Sequence, residues 1–142
     1  MKRILVALDA SPRAELVLAA ADQLAELTGA TMIVFRAVTV APDLPRDLLT
    51  LTDVGIEEVL ARNARADLER LTRGITPGRI EKLETAFATP WDGICRAARD
   101  AAADLIVIGS HGYGGLDRVL GTTAGKVVNH ADRNVLVVRA AL

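Results

Sequence analysis

The chain is built around residues 104–115, which read Asp104-Leu-Ile-Val-Ile-Gly109-Ser-His-Gly112-Tyr-Gly114-Gly115. Residues 105–108 form a short, continuous apolar run, which is typical of a strand buried on both faces of a parallel sheet. The run ends at Gly109, and three of the next six residues are glycine. Such a loop exposes backbone amides to a ligand, because no Cβ atom of a glycine blocks the approach.

A second helical segment opens beyond this loop at Gly121-Thr122-Thr123. The first amides of a helix have no partner within the helix, and the helix dipole places roughly half a positive charge at that end. A glycine loop followed by an open helix N-terminus therefore favours phosphate binding. Residues 121–127 are not a Walker loop, since the spacing is one residue short and Val127 replaces the required hydroxyl. Residues 109–115 likewise lack the glycine order of dinucleotide-binding folds.

Strand and helix signals alternate along the rest of the chain. We predict strands over residues 3–8, 31–38, 80–86, 105–108 and 134–139, and helices after the first four of them. Ser11 is predicted to cap the first helix with Pro12 as its first residue, Gly29 to end that helix, and Thr89-Pro90 to start the third. Residues 39–53 have no period and are predicted to form a loop. A β-α-β opening favours a right-handed crossover and parallel strands. The predicted fold class is α/β, an open doubly wound five-stranded parallel sheet with four helices.

Length and charge limit the possible functions. A chain of 142 residues is expected to form a single domain over residues 1–142. Its 17 basic and 18 acidic residues nearly cancel, so we expect neither a nucleic acid nor a membrane surface as partner. No signal peptide is expected, and no apolar run approaches the roughly 18 residues that span a bilayer. A single cysteine suits a reducing cytoplasm, and Cys95 is expected to be a small buried hydrophobe.

Four segments together resemble the universal stress protein family: Ile4-Leu-Val-Ala-Leu-Asp9-Ala-Ser11, Gly109-Ser-His-Gly112, Gly121-Thr122 and Val135-Leu-Val-Val-Arg139. The resemblance covers essentially the whole chain. It implies an adenine nucleotide alpha hydrolase-like fold, ATP together with magnesium as ligand, and a regulatory role in the stress response. In open α/β sheets ligands sit beyond the carboxyl ends of the strands, where Asp9 and Gly109 are both predicted to lie.

The resemblance also assigns roles to individual residues. Asp9 is expected to contact the nucleotide directly or through its magnesium ion, although it also suits an Asx turn before the helix. Ala7 and Ala37 would lie beside the adenine, and Arg36 stands where the family often has histidine. The predicted nucleotide site consists of Ala7, Leu8, Asp9, Ala37, Ile108, Gly109, His111, Gly112, Arg118, Gly121, Thr122 and Thr123.

Two side chains of the predicted site have alternative roles. His111 matches the histidine of the family's glycine loop, and a hydrogen bond that stabilises the loop is favoured over catalysis, because no nucleophile with an orienting acid can be paired with it. Arg118 is placed either to reach a terminal phosphate or to lie in solvent. No histidine and cysteine spacing indicates zinc. We expect no catalytic residue, and at most slow ATP hydrolysis.

One departure from the family pattern keeps other functions open. Eight residues separate Gly112 from Gly121, one fewer than in the family's ATP-binding pattern. Gly114 and Gly115 can absorb a difference of at most about 3.6 Å, or the shorter loop can draw the helix away from the phosphates. The first alternative function is therefore a dimeric partner-binding module without nucleotide. A nucleotide-activating α/β enzyme is less favoured, since the chain leaves little room for a substrate pocket.

The last predicted strand, residues 134–139, is apolar. An exposed apolar edge strand can pair with a copy of itself, and members of the resembled family commonly dimerise across this strand. We therefore expect a homodimer through Asn134 to Arg139, with a further regulatory protein as an unknown partner.

Overall fold

A computed structural model describes residues 1–39, 53–110 and 120–139, with the side chains of residues 53 and 54 excluded. Within these ranges the strands are β1 (Arg3–Ala7), β2 (Thr31–Val38), β3 (Ile80–Phe87), β4 (Leu105–Gly109) and β5 (Asn134–Val138). The helices are α1 (Ala14–Thr28), α2 (Asp53–Thr72), α3 (Pro90–Asp100) and α4 (Thr122–His130). Most of the predicted loop at residues 39–53 lies outside the described residues.

The five strands form one parallel sheet in the order β3-β2-β1-β4-β5. At its centre, Val6 of β1 lies between Val34 of β2 and Val107 of β4. The chain winds outward from β1 to β3 on one side, then returns to place β4 on the other side of β1. The predicted doubly wound fold is confirmed, and the strand order reverses between β1 and β4.

Helices cover both faces of the sheet, which explains why the central strands are apolar without alternation. On one face, Ile4 and Val6 belong to a core cluster with Val17 of α1 and Leu68 of α2. On the other face the cluster includes Leu5 and Phe35 together with residues of α3 and α4, namely Ile94, Cys95, Ala98 and Val127. Cys95 is buried as expected, and burial raises the pKa of its thiol.

The helix-end predictions were right at two positions and wrong at one. Gly29 ends α1 with φ of 75° and donates its N–H to the Ala25 carbonyl, as a C-terminal glycine should. Thr89 and Pro90 begin α3 as predicted. The first helix, however, begins at Ala14 rather than at Pro12. The reason is a turn in which the Ser11 hydroxyl accepts a hydrogen bond from the Arg13 amide, so Ser11 stabilises a turn ahead of the helix.

Candidate functional site

A cavity of about 230 Å³ lies at the carboxyl ends of the central strands, where the strand order reverses. Crevices at this place are the usual ligand sites of open α/β sheets. Its wall combines the ends of β1, β2 and β4 with the first turns of α1, α3 and α4. The lining residues are Ala7, Leu8, Asp9, Ser11, Arg13, Ala14, Val17, Phe35, Ala37, Pro90, Ile94, Ile108, Gly109, Ser110, Gly121, Thr122, Thr123 and Ala124.

The turn after β1 forms one side of the cavity. The Leu8 amide still donates to the Phe35 carbonyl of β2 at 2.9 Å, after which the chain leaves the sheet. The Asp9 carboxylate then accepts a hydrogen bond from the Ser11 amide through Oδ1, at 2.9 Å. This is the Asx turn that the sequence indicated, and it holds the Asp9 carboxylate at the mouth of the strand. Asp9 itself remains exposed.

The first turn of α4 forms another side of the cavity. The Gly121 amide donates to the Ser110 carbonyl at 2.7 Å, and the Ser110 amide donates to the Val138 carbonyl at 2.9 Å. These two bonds attach the start of α4 to the ends of β4 and β5. No described side chain caps α4. Its first amides therefore present partial positive charge beside Thr122 and Thr123, which line the cavity.

The apolar lining residues form a slot in the same cavity. Phe35 and Ile94 form its buried part, while Ala7, Ala37 and Ile108 contribute small or branched side chains. Asp9 and Arg13 are the charged residues among the described lining residues. The arrangement can therefore hold a flat apolar ring in the slot and an anionic group at the start of α4.

Nine predicted site residues line this cavity together: Ala7, Leu8, Asp9, Ala37, Ile108, Gly109, Gly121, Thr122 and Thr123. His111, Gly112 and Arg118 lie outside the described residues. The geometry thus brings together residues that are separated by up to 116 positions in the sequence, from Ala7 to Thr123.

Several lining residues are not among the site residues predicted from the sequence. Pro90 and Ile94 of α3 had a usable signal, because Thr89-Pro90 marks a helix N-terminus after a parallel strand, and all such N-termini meet at the same edge of the sheet. Ser110 directly follows Gly109, but the predicted site includes only Gly109, His111 and Gly112 from this part of the loop. Arg13 had no signal, since one arginine near a helix start is common in any surface turn.

Arg36 lies behind the cavity wall and not in it. Its guanidinium donates to the Leu8 carbonyl through Nε at 3.2 Å and to the Asp9 carbonyl through Nη2 at 2.8 Å. Nη1 forms an ion pair with Oδ2 of Asp67 in α2 at 2.7 Å. Only 7% of Arg36 is exposed. A buried charge is tolerated here because three acceptors satisfy it.

The described part of the chain shows no group of three or more histidine, cysteine, aspartate or glutamate residues that is placed to hold a metal ion. Among its helices, none combines the length and apolar character that crossing a bilayer requires.

The chain is similar to known proteins in both sequence and structure. Residues 1–139 match the profile of the universal stress protein family. Universal stress protein A homolog 1 from Coxiella burnetii is 30% identical over 139 residues, which cover 96% of this chain and 95% of that protein. The structure of universal stress protein UspA from Lactobacillus plantarum is similar with a TM-score of 0.72 at 26% identity over 97% of each chain. The universal stress protein from Archaeoglobus fulgidus in complex with dAMP has a TM-score of 0.59 at 25% identity over 98% of each chain.

Proposed function

The chain belongs to the universal stress protein family, and from that membership and the cavity we propose that it binds ATP and acts as a regulatory protein in the stress response. The observation that carries the proposal is the pairing of an apolar slot with an open helix N-terminus in one cavity. The adenine would lie between Ala7 and Ala37. The phosphates would lie against Gly109, Gly121, Thr122 and Thr123, with Gly112 of the glycine loop.

An adenine nucleotide is the ligand class that the relatives support. The Archaeoglobus fulgidus protein, which is 25% identical to this chain, was solved with dAMP. Binding of a triphosphate in particular is a more specific proposal. It requires space and positive potential at the start of α4. The uncapped amides there and the positive charge of Arg13, which also lines the cavity, favour additional negative charge on the ligand.

Magnesium fits this site as an ion carried by the nucleotide. Mg²⁺ is commonly bound by one or two carboxylates together with substrate phosphates and water. Asp9 supplies a single carboxylate at the cavity. The described residues include no cluster of acidic side chains that could bind the ion without the phosphates. Bound magnesium would neutralise phosphate charge beside Asp9. The Asp9 carboxylate would hold the ion only indirectly, because the ion would be bound to the nucleotide.

We propose a regulatory output in preference to catalysis. The two charged residues of the described lining are an aspartate whose Oδ1 already accepts an amide hydrogen bond and an arginine, which is not a general base at neutral pH. Any hydrolysis of ATP would therefore be slow. The proposed assembly is a cytoplasmic homodimer that contacts another protein in a nucleotide-dependent way.

The second candidate function is a dimeric partner-binding module that has lost ATP. The observation in its favour is the spacing of Gly112 and Gly121, which is one residue shorter than the family's ATP-binding pattern. If the shorter loop withdraws the start of α4 from the phosphates, the cavity loses its anion-binding side.

The two candidates are separated by thermal unfolding with ATP, ADP, AMP or no nucleotide, each with and without magnesium. Ligand at 100 times Kd stabilises the native state by about 2.7 kcal/mol, which raises Tm by roughly 5–10 °C for a domain of this size. We expect such a rise with ATP for the wild type.

Two matched variants test where the ligand binds. Ala37→Leu fills the proposed adenine slot, whereas Ala101→Leu enlarges another partly buried alanine of the same core cluster outside the cavity. We expect the ATP-dependent rise to disappear in Ala37→Leu and to persist in Ala101→Leu. Gly112→Val is expected to abolish it as well, because a side chain would block the loop amides. No rise for the wild type at millimolar ATP would favour the partner-binding module.

A further inference from the structure

The backbone at the end of β1 is held from outside the cavity. The carbonyls of Leu8 and Asp9 both accept hydrogen bonds from Arg36, whose third partner is Asp67 of α2. Leu8 is only 3% exposed, so without Arg36 its carbonyl would lose a partner where water cannot easily replace it. The position of this backbone therefore depends on a charge pair with a different helix.

The contacted backbone is part of the cavity wall. Leu8, Asp9, Ser11 and Ala14 line the candidate site, and Ser11 and Ala14 also line a second cavity of about 190 Å³ whose far wall includes Asp67 and Arg70. The turn between β1 and α1 is thus a thin partition, with the candidate site on one side and the acidic and basic residues of α2 on the other.

Asp67 is well suited to orient Arg36. Its Oδ2 pairs with Arg36, and its Oδ1 accepts a hydrogen bond from Arg70 at 2.6 Å one turn further along α2. Both carboxylate oxygens are engaged, so the carboxylate has little freedom to rotate. Loss of Asp67 would leave the buried guanidinium without its counter-charge and free to leave the two carbonyls.

We propose that Arg36 and Asp67 act as a positioning pair that sets nucleotide affinity by fixing the Leu8 and Asp9 backbone, which couples α2 to the site. The inference rests on the proposed nucleotide function for its effect on affinity, but the coupling itself concerns the protein alone. Neither Arg36 nor Asp67 lines the candidate nucleotide site, so a change in affinity upon their substitution reports positioning and not a lost ligand contact.

A second ion pair in the molecule is a matched control. Arg79 Nη1 and Asp22 Oδ1 also lie 2.7 Å apart, with side-chain exposures of 17% and 26% against 8% and 29% for Arg36 and Asp67. This pair joins α1 to the residue before β3, at the amino ends of the strands, and it lies outside the cavity lining. Asp22→Ala therefore removes a similar ion pair at the opposite edge of the sheet.

The test compares Asp67→Ala, Arg36→Lys and Asp22→Ala with the wild type by calorimetric titration of Mg·ATP and by hydrogen exchange without nucleotide. We expect Asp67→Ala to raise Kd about tenfold, as displaced binding groups do, and Asp22→Ala to keep Kd within about twofold. Arg36→Lys should resemble Asp67→Ala, because one ammonium cannot reproduce the fork that spans two carbonyls and a carboxylate.

Hydrogen exchange separates this inference from the proposed function. The amides of Ser11, Arg13 and Ala14 are protected by bonds within the turn, and we expect them to exchange at least about threefold faster in Asp67→Ala than in Asp22→Ala. Equal exchange in the two variants would overturn the positioning pair, whether or not ATP binds. Faster exchange with an unchanged Kd would overturn its role in affinity. A wild type that binds no nucleotide would refute the proposed function, while exchange would still decide whether α2 holds the turn.

Discussion

Asp67 shows how a single residue responds to the fold. The hydrogen bond from Arg70 is the largest influence on its carboxyl, and the hydrogen bond from Arg36 acts in the same direction, so the pKa of Asp67 is lowered from its ordinary value of 3.8. A lowered pKa means that the ionised carboxylate is favoured over its protonated form more strongly in the folded state than in the unfolded state. Its contribution to stability is therefore complete above pH 3.8 and is lost as the pH falls through the lower pKa of the folded state.

This linkage predicts a pH-dependent effect of Asp67→Asn. The amide keeps the shape of the side chain but cannot carry the charge, so we expect the variant to be less stable than the wild type near neutral pH. The difference should shrink as the pH is lowered from roughly 5 to 2, since the wild type then loses the same charge. Urea unfolding at a series of pH values measures it. A difference in the free energy of unfolding that stays constant over this pH range would contradict the lowered pKa of Asp67.

At the scale of the elements, two helical glycines have opposite surroundings. A Cβ atom on Gly93 of α3 would lie 2.8 Å from the Cβ atom of Ala88, in the turn that precedes the helix, and 3.5 Å from Phe35 in the core. Within the described part of the chain, a Cβ atom on Gly125 of α4 would meet nothing within 4 Å. Helix propensity favours alanine over glycine at both places, so packing decides the outcome.

We expect Gly125→Ala to stabilise the protein by about 0.5–1 kcal/mol, because alanine loses less backbone entropy when the helix forms. Gly93→Ala should instead destabilise it by roughly 1–3 kcal/mol, since the contact with Ala88 is too close and requires α3 to shift. Chemical denaturation of both variants tests the pair. A stabilised Gly93→Ala variant would show that α3 moves away from the sheet at little cost.

At the scale of the whole molecule, β5 is one of the two edge strands of the described sheet, the other being β3. Within the described residues it pairs with β4 on one side only. Leu136 is 40% exposed on this edge strand. Large exposed apolar residues on an edge strand favour pairing with another chain. These features support the proposed homodimer across residues 134–139.

We expect the wild type at micromolar concentration to sediment at twice the chain mass of 15.1 kDa. Leu136→Lys should shift it toward the monomer, because a lysine on an edge strand opposes strand pairing. Leu27→Lys is the matched control, since Leu27 is a 77% exposed leucine on α1. A monomeric wild type, or equal dissociation of both variants, would count against the β5 interface.

Much of this architecture was predictable from local patterns. Continuous apolar runs such as residues 105–108 predict strands that are buried on both faces, and a proline after Thr89 predicts a helix start. The clustering of Asp9 with Gly109 follows from parallel strands, whose carboxyl ends share one edge. The start of α1 was harder to predict, because the Ser11 hydroxyl can accept a hydrogen bond either as a helix cap or in the observed turn.

The chain's own patterning established its α/β class, its family and half of the cavity lining, because apolar periodicity, capping residues and glycine spacing act between near neighbours. The tertiary fold alone decided which strands became neighbours, how Phe35 joins the cavity, and what Arg36 does. Arg36 lies 27 residues from Asp9 and 31 from Asp67 in the sequence. No local pattern indicates that a buried guanidinium will meet both, since that contact exists only after β2 pairs with β1 and α2 packs across them.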